Sequence, residues 1–146
     1  METQQTSFKI LMFQWLAHGH IYPFLELSKK LLPKKNFQIY FCSIPINIDS
    51  IKNSLLKILS EFSIEFIELH LPSLPGLPPQ YHTTKNVPPN LMPTLMLAFQ
   101  ITGSCFSSII SNLKPDLLIY DALRPWAPNL LHHKVLLKKA LLTKLI

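Results

Sequence analysis

The sequence predicts an α/β domain, a parallel sheet with helices packed on its faces. Three observations carry that expectation. Between residues 10 and 69, strand-like apolar runs alternate with stretches of helical spacing, the order that builds parallel sheets through right-handed crossovers. The first run, Ile10 to Leu16, is interrupted only by Gln14, which suits a strand covered on both faces rather than one with polar residues at every second position. Hydrophobic residues make up 48% of the 146 and charged ones 15%, which argues against disorder and for one domain with a well-covered sheet.

The elements can be taken in order. After Ala17-His18-Gly19-His20 the spacing from Phe24 to Leu32 is helical, and Pro23 suits the first turn, where a missing N–H costs nothing. Pro33 to Asn36 break that helix, and Phe37 to Cys42 reads as a second strand. Asn47 to Leu59 is spaced as a helix, with Ile48, Ile51, Leu55 and Leu59 on one stripe. Ile64 to Leu69 alternates with Glu65 and Glu68, the pattern of a third strand nearer the sheet's edge. From Leu71 to Pro93 the chain is dense in proline, and so long a stretch without regular structure is expected to be a binding loop over the sheet edge. A helix is expected from about residue 91 or 93 to Leu113, with Leu95, Phe99, Phe106, Ile109 and Ile110 facing the core. Lys114-Pro115-Asp116 then turns the chain into a short apolar strand, Leu117 to Tyr120, with Asp121 directly after it.

Composition excludes several classes of function. The formal charge is +6, but Arg124 is the single arginine and the lysines are scattered, so no nucleic-acid partner is expected. Cys42 and Cys105 lie far apart among apolar residues and are expected to be buried, reduced thiols of a cytosolic protein. The polar start through Ser7 lacks the features of a secretory signal, and no apolar run is expected to span a bilayer. The expectation is a cytoplasmic protein with no membrane partner.

The turn after the first strand falls at the carboxyl edge of the sheet, where open α/β sheets bind ligands. If the strand order reverses between the first and fourth strands, Asp121 opens onto the same crevice as His20. A neutral imidazole can take a proton near neutral pH, and a carboxylate behind it fixes its tautomer and stabilises the imidazolium. The first helix's positive end favours the neutral ring and Asp121 the charged one, so the pair suits activation of a substrate hydroxyl. No serine or cysteine is placed as a nucleophile. Other readings are open: His20 and Asp121 could merely cap helices, and His18 with His20, perhaps joined by His132 and His133, could hold a metal, although no acidic or cysteine ligand stands nearby. The turn has only Gly19 and no Gly-x-Gly-x-x-Gly, so no dinucleotide cofactor is expected. His82 reads on its own as an exposed loop residue, and Trp126 beside Pro125 as a packing residue.

The run Trp15-Leu16-Ala17-His18-Gly19-His20-Ile21-Tyr22-Pro23-Phe24-Leu25-Glu26-Leu27 resembles the N-terminal signature of plant family-1 UDP-glycosyltransferases. It is similar in particular to the group that adds a second sugar to flavonoid or terpenoid glycosides. Phe37 to Ser43, Thr83 to Leu95 and Leu113 to Ala127 extend the likeness. The resemblance implies a Rossmann-like N-terminal domain of a GT-B fold that binds the acceptor. It implies that His20 deprotonates an acceptor hydroxyl, that Asp121 supports it, and that the hydroxyl attacks a UDP-sugar with inversion and without a metal. It also sets His18 and Leu123 near the substrates and makes the long loop, with His82, part of the acceptor pocket.

The expected organisation is an incomplete acceptor-binding domain over residues 1–128, a divergent tail over 129–146, and no donor-binding domain. The tail's lysines and leucines leave no clean apolar stripe on a helix. On these grounds the chain alone is expected to be inactive, because differential binding of a transition state needs both substrates held together. The alternatives are a non-catalytic remnant that binds glycosides or pairs with a full-length relative, and an unstable gene fragment.

Overall fold

The structure, a computed structural model, describes residues 7–13, 18–33, 36–54, 64–120 and 135–137, with the backbone alone for 18–22, 54 and 135–137. The strands are β1 (Phe8–Phe13), β2 (Phe37–Ser43), β3 (Ile64–Glu68), β4 (Leu117–Tyr120) and β5 (Val135–Leu137). They form one sheet in the order β3-β2-β1-β4-β5, and every pair is parallel. The strand order therefore reverses at β1, with β2 on one side and β4 on the other. β3 lies at an edge, as its alternating glutamates predict.

The sheet is apolar along its central strands because both faces are covered. Alternate residues point to opposite sides, and the burial divides them cleanly. Ile10 and Met12 of β1, Ile39 and Phe41 of β2 and Ile119 of β4 pack with Phe24, Leu25, Leu27 and Ile51. Leu11, Phe13, Tyr40, Cys42, Leu118 and Tyr120 pack on the other side, against Leu95, Phe99, Phe106 and Ile110. The helices supplying these partners are α1 (His18–Leu31) and α2 (Pro45–Ser54) on the first face, and α3 (Met92–Ile101) and α4 (Gly103–Leu113) on the second. Phe13 is the centre of the second core, its ring stacked on Phe106 at 4.2 Å and on Phe99 at 5.8 Å between centroids.

Several local expectations are corrected. α1 begins at His18, so Pro23 lies inside it rather than in its first turn. A proline there removes one N–H from the helix ladder, and the apolar face from Phe24 onward holds the helix regardless. α2 starts at Pro45, a residue well suited to a first helical position. The long helix is divided at buried Thr102, whose hydroxyl and backbone N–H both donate to the Phe99 carbonyl. That side-chain bond competes with the helix's own ladder and tightens the turn. α4 ends at Lys114, which takes the left-handed conformation (φ 52°) and donates its N–H to the Ile110 carbonyl at 2.8 Å.

The proline-dense stretch is not structureless. Leu74 and Leu77 form a bridge around Gly76, and short 3₁₀ turns occupy Pro79–Tyr81 and Pro89–Leu91. Leu71, Leu77 and Val87 are buried in the second core, which pins the stretch to the domain. Helical residues Pro89–Leu113 together are long and apolar enough to cross a membrane by length and composition alone, contrary to the sequence expectation. Leu95, Ala98, Phe99, Phe106 and Ile110 bury one side of them in the core, as in a helix covering a sheet.

Cys42 is buried as expected, but Cys105 is exposed, because it falls on the outer side of α4 while Phe106 takes the inward position. Residues 135–137 of the tail pair with β4, so β4 has a neighbour on both sides. The expected strand residues 14–16 and helix residues Leu55 and Leu59 lie outside the described residues.

Candidate functional site

The register of the sheet sets the geometry of its carboxyl edge. β1 and β4 pair from Ile10↔Leu117 to Phe13↔Tyr120, so the two strands end on one level. β2 and β3 run on beside them, ending with the partners Ser43 and Glu68. The carboxyl ends of the four strands lie along a single rim, with a switch of strand order at β1, the position where doubly wound sheets hold ligands.

Along that rim, His18 and His20 have helical backbone in the first turn of α1, within the helix rather than in a turn before it. Asp121 and Leu123 lie outside the described residues, as do Trp126, His132 and His133. No group of three or more metal-ligating side chains occurs among the described residues. His82 is not the exposed loop residue that its sequence context alone suggests. It is buried, with Nε2 at 3.2 Å from the Leu77 carbonyl oxygen, because Leu77 and Val87 draw its loop into the core.

The described cavity at this rim, about 450 Å³, lies beyond the ends of β2 and β3. Ile44, Ile46, Leu71 and Pro79 give it apolar walls, and Asp49, His70, Gln80 and His82 give it polar ones. The volume falls in the range of small-molecule sites, on the order of 300–1,000 Å³. His70 stands at its edge with Nε2 3.0 Å from a Glu68 carboxylate oxygen. Sequence reasoning missed Asp49, His70 and Gln80. The rule that ligands bind beyond the carboxyl ends of strands pointed to His70, which comes just after the third strand. Asp49 lay inside a helical pattern that gave no reason to single it out.

Cys42, wholly buried under this rim, has its thiol pKa pushed up by desolvation, which makes it a core residue rather than a nucleophile.

No protein-family model matches the chain. Individual relatives do. It is 53% identical over 120 residues to mogroside IIIx synthase of Siraitia grosvenorii, a match covering 82% of this chain and 25% of that protein. It is 48% identical over 130 residues to UDP-glucosyltransferase 29 of Panax ginseng, covering 89% and 28%. It is 51% identical over 129 residues to flavanone 7-O-glucoside 2''-O-beta-L-rhamnosyltransferase of Citrus maxima, covering 87% and 28%. The chain belongs to the plant UDP-glycosyltransferases. It corresponds to their N-terminal part and spans about a quarter of the length of the curated relatives it matches.

The fold agrees with that of solved plant UDP-glycosyltransferases. Glycyrrhiza uralensis UGT73P12, solved with glycyrrhetinic acid 3-O-monoglucuronide, superposes with a TM-score of 0.79 at 19% identity, over 91% of this chain and 28% of that one. The parallel sheet with flanking helices is thus the N-terminal architecture of a GT-B UDP-glycosyltransferase.

Proposed function

We propose that the chain is the acceptor-binding part of a UDP-glycosyltransferase that adds a sugar to a hydroxyl of a flavonoid or terpenoid glycoside, in the cytoplasm and without a metal or cofactor. The observation that carries this is the parallel pairing of β1 with β4 up to Phe13↔Tyr120, together with identities near 50% to enzymes of this class. That β1 and β4 end side by side supports a crevice shared by His20 and Asp121, whose places in the sequence follow those two strands.

In this reading the His20 imidazole takes the proton of the acceptor hydroxyl as that oxygen attacks the anomeric carbon of a UDP-sugar. The C–O bond to UDP breaks, UDP departs with the bonding pair, and configuration inverts. Asp121 holds the imidazole in its productive tautomer and stabilises the imidazolium. His18 and Leu123 lie against the substrates. The sugar donor needs residues beyond this segment, so the 146 residues alone bind acceptor but turn over negligibly.

Calorimetry of the purified chain with a flavonoid glucoside, paired with incubation in UDP-glucose or UDP-rhamnose, tests this. The expected result is saturable heat without product. A folded sample that gives no heat removes the acceptor-binding reading, and turnover abolished by His20→Ala removes the statement that the segment is inactive alone.

A further inference from the structure

We infer that the groove between the edge strand β3 and the last turn of α4 binds a small organic ammonium ion, an amine carried on an apolar ring or chain. The groove, about 340 Å³, lies on the second face of the sheet and shares no lining residue with the cavity at the carboxyl rim. Its occupation is independent of acceptor binding.

Ile67, Ile109 and Leu113 pack against the second core and leave an aliphatic wall for a hydrocarbon body. Tyr40 lies beneath them with 7% of the residue exposed, yet its hydroxyl makes no hydrogen bond among the described residues. A buried hydroxyl left unpaired costs free energy, and a ligand in the groove can supply the missing partner. Glu65 is the partner of Tyr40 in the parallel register of β2 and β3. Burial, and then the Glu65 charge, raises the Tyr40 pKa, so the hydroxyl keeps its proton at neutral pH. The Glu65 carboxylate has no ion-pair partner among the described residues, and neither does the exposed Asn112 amide have a hydrogen-bond partner among them.

The groove thus offers three acceptors, a carboxylate, a phenolic oxygen and an amide oxygen, beside an apolar wall. An ammonium brings three donors and no acceptor. An alcohol brings one donor and leaves the Glu65 charge uncompensated, whereas an anion is opposed by Glu65 and by the negative end of the α4 dipole. That helix end already holds a cation, since Lys9 Nζ donates to the Leu113 carbonyl at 3.1 Å. Glu65 is the single carboxylate of the groove, too few anionic ligands for a metal ion.

The experiment titrates the full chain with 2-phenylethylamine, with its neutral counterpart 2-phenylethanol and with 3-phenylpropionate, following backbone amide shifts by NMR. The amine is expected to move the amides of Glu65, Ile67, Asn112 and Leu113 saturably, the alcohol to bind roughly fivefold more weakly, and the carboxylate to leave them in place. Glu65→Gln should weaken the amine about threefold to fivefold, as expected of an exposed charge pair. Asn112→Arg, a favourable residue at a helix C-terminus, sets a guanidinium beside Glu65 and should weaken the amine roughly tenfold or more. Tyr40→Phe should weaken the amine without lowering the thermal midpoint of the free chain, because the hydroxyl it removes has no partner to lose. No shift at these amides with the amine, equal binding of amine and alcohol, or wild-type affinity in both Glu65→Gln and Asn112→Arg would each overturn the site.

Discussion

Phe13 and Tyr120 are parallel partners at the last described positions of β1 and β4, 107 residues apart in sequence and side by side in the sheet. Everything proposed for the reaction depends on this adjacency, since a base carried after β1 can meet a carboxylate carried after β4 only if the two strands end as neighbours. A chimera in which residues 1–128 replace the matching part of the Citrus maxima rhamnosyltransferase should transfer sugar to a flavanone glucoside. In that background His20→Ala should lower kcat by roughly 10²–10⁴, the usual worth of a positioned general base. Asp121→Asn should also lower kcat, and should move the acid limb of the pH–rate profile to lower pH, because losing the carboxylate lowers the imidazole pKa. A chimera whose rate ignores His20→Ala would remove the proposed base.

Phe13 also anchors the core. Its ring is almost wholly buried and stacks on both Phe99 and Phe106, joining β1 to two helices at once. Phe13→Ala is therefore expected to destabilise the domain by about 3–5 kcal/mol, through lost burial and the cavity left behind. Urea unfolding with an unchanged m-value would measure it. A loss below about 1 kcal/mol would mean that the two helices do not pack as described.

Much of this architecture was legible in the sequence, for a physical reason. Strands buried on both faces must be apolar throughout, so residues 37–42 and 117–120 announced themselves, and Glu65 and Glu68 marked an edge. Boundaries were harder. Pro23 signalled a helix start, yet the helix begins five residues earlier, because a proline's cost inside a helix can be outweighed by a strong apolar face. His82 looked like loop surface, since nothing local records that Leu77 and Val87 pull its segment into the core. Cys105 looked buried among apolar neighbours, whereas helical periodicity gave the inward place to Phe106. The cavity residues Asp49 and Gln80 share no sequence pattern, and only the tertiary fold brings α2 and the proline-rich stretch together.

Lys114 ends α4 with a positive φ, a conformation that strains any side chain carrying a Cβ. Lys114→Gly should relieve that strain and stabilise the domain by up to about 1 kcal/mol. Part of the gain is offset by the greater freedom of glycine in the unfolded chain. A thermal midpoint that falls in this variant would contradict the left-handed cap.

Alkaline pH should destabilise the domain through Cys42. Burial raises the folded thiol's pKa above its ordinary value of 9.0. The folded state therefore keeps a proton that the unfolded state releases. This contribution is fully present below pH 9 and is lost as pH rises beyond it, by about 1.4 kcal/mol per pH unit. Tyr40, raised first by burial and then by the Glu65 charge beside it, adds to the loss above pH 10. Melting curves between about pH 8 and 11 should show a steep decline in wild type and a shallower one in Cys42→Ala. Parallel declines would mean that the thiol is not what titrates.

The pairing of Ile10 with Leu117 bears on how the protein is made. During synthesis β1 and β2 leave the ribosomal tunnel early, yet the middle strand of the finished sheet has an open side until residues 117–120 emerge. Long-range parallel pairing closes slowly. The nascent polypeptide thus carries a sticky, half-zipped ribbon until residues 117–120 appear, and a chaperone that shields β1 during that interval should raise the yield of folded protein.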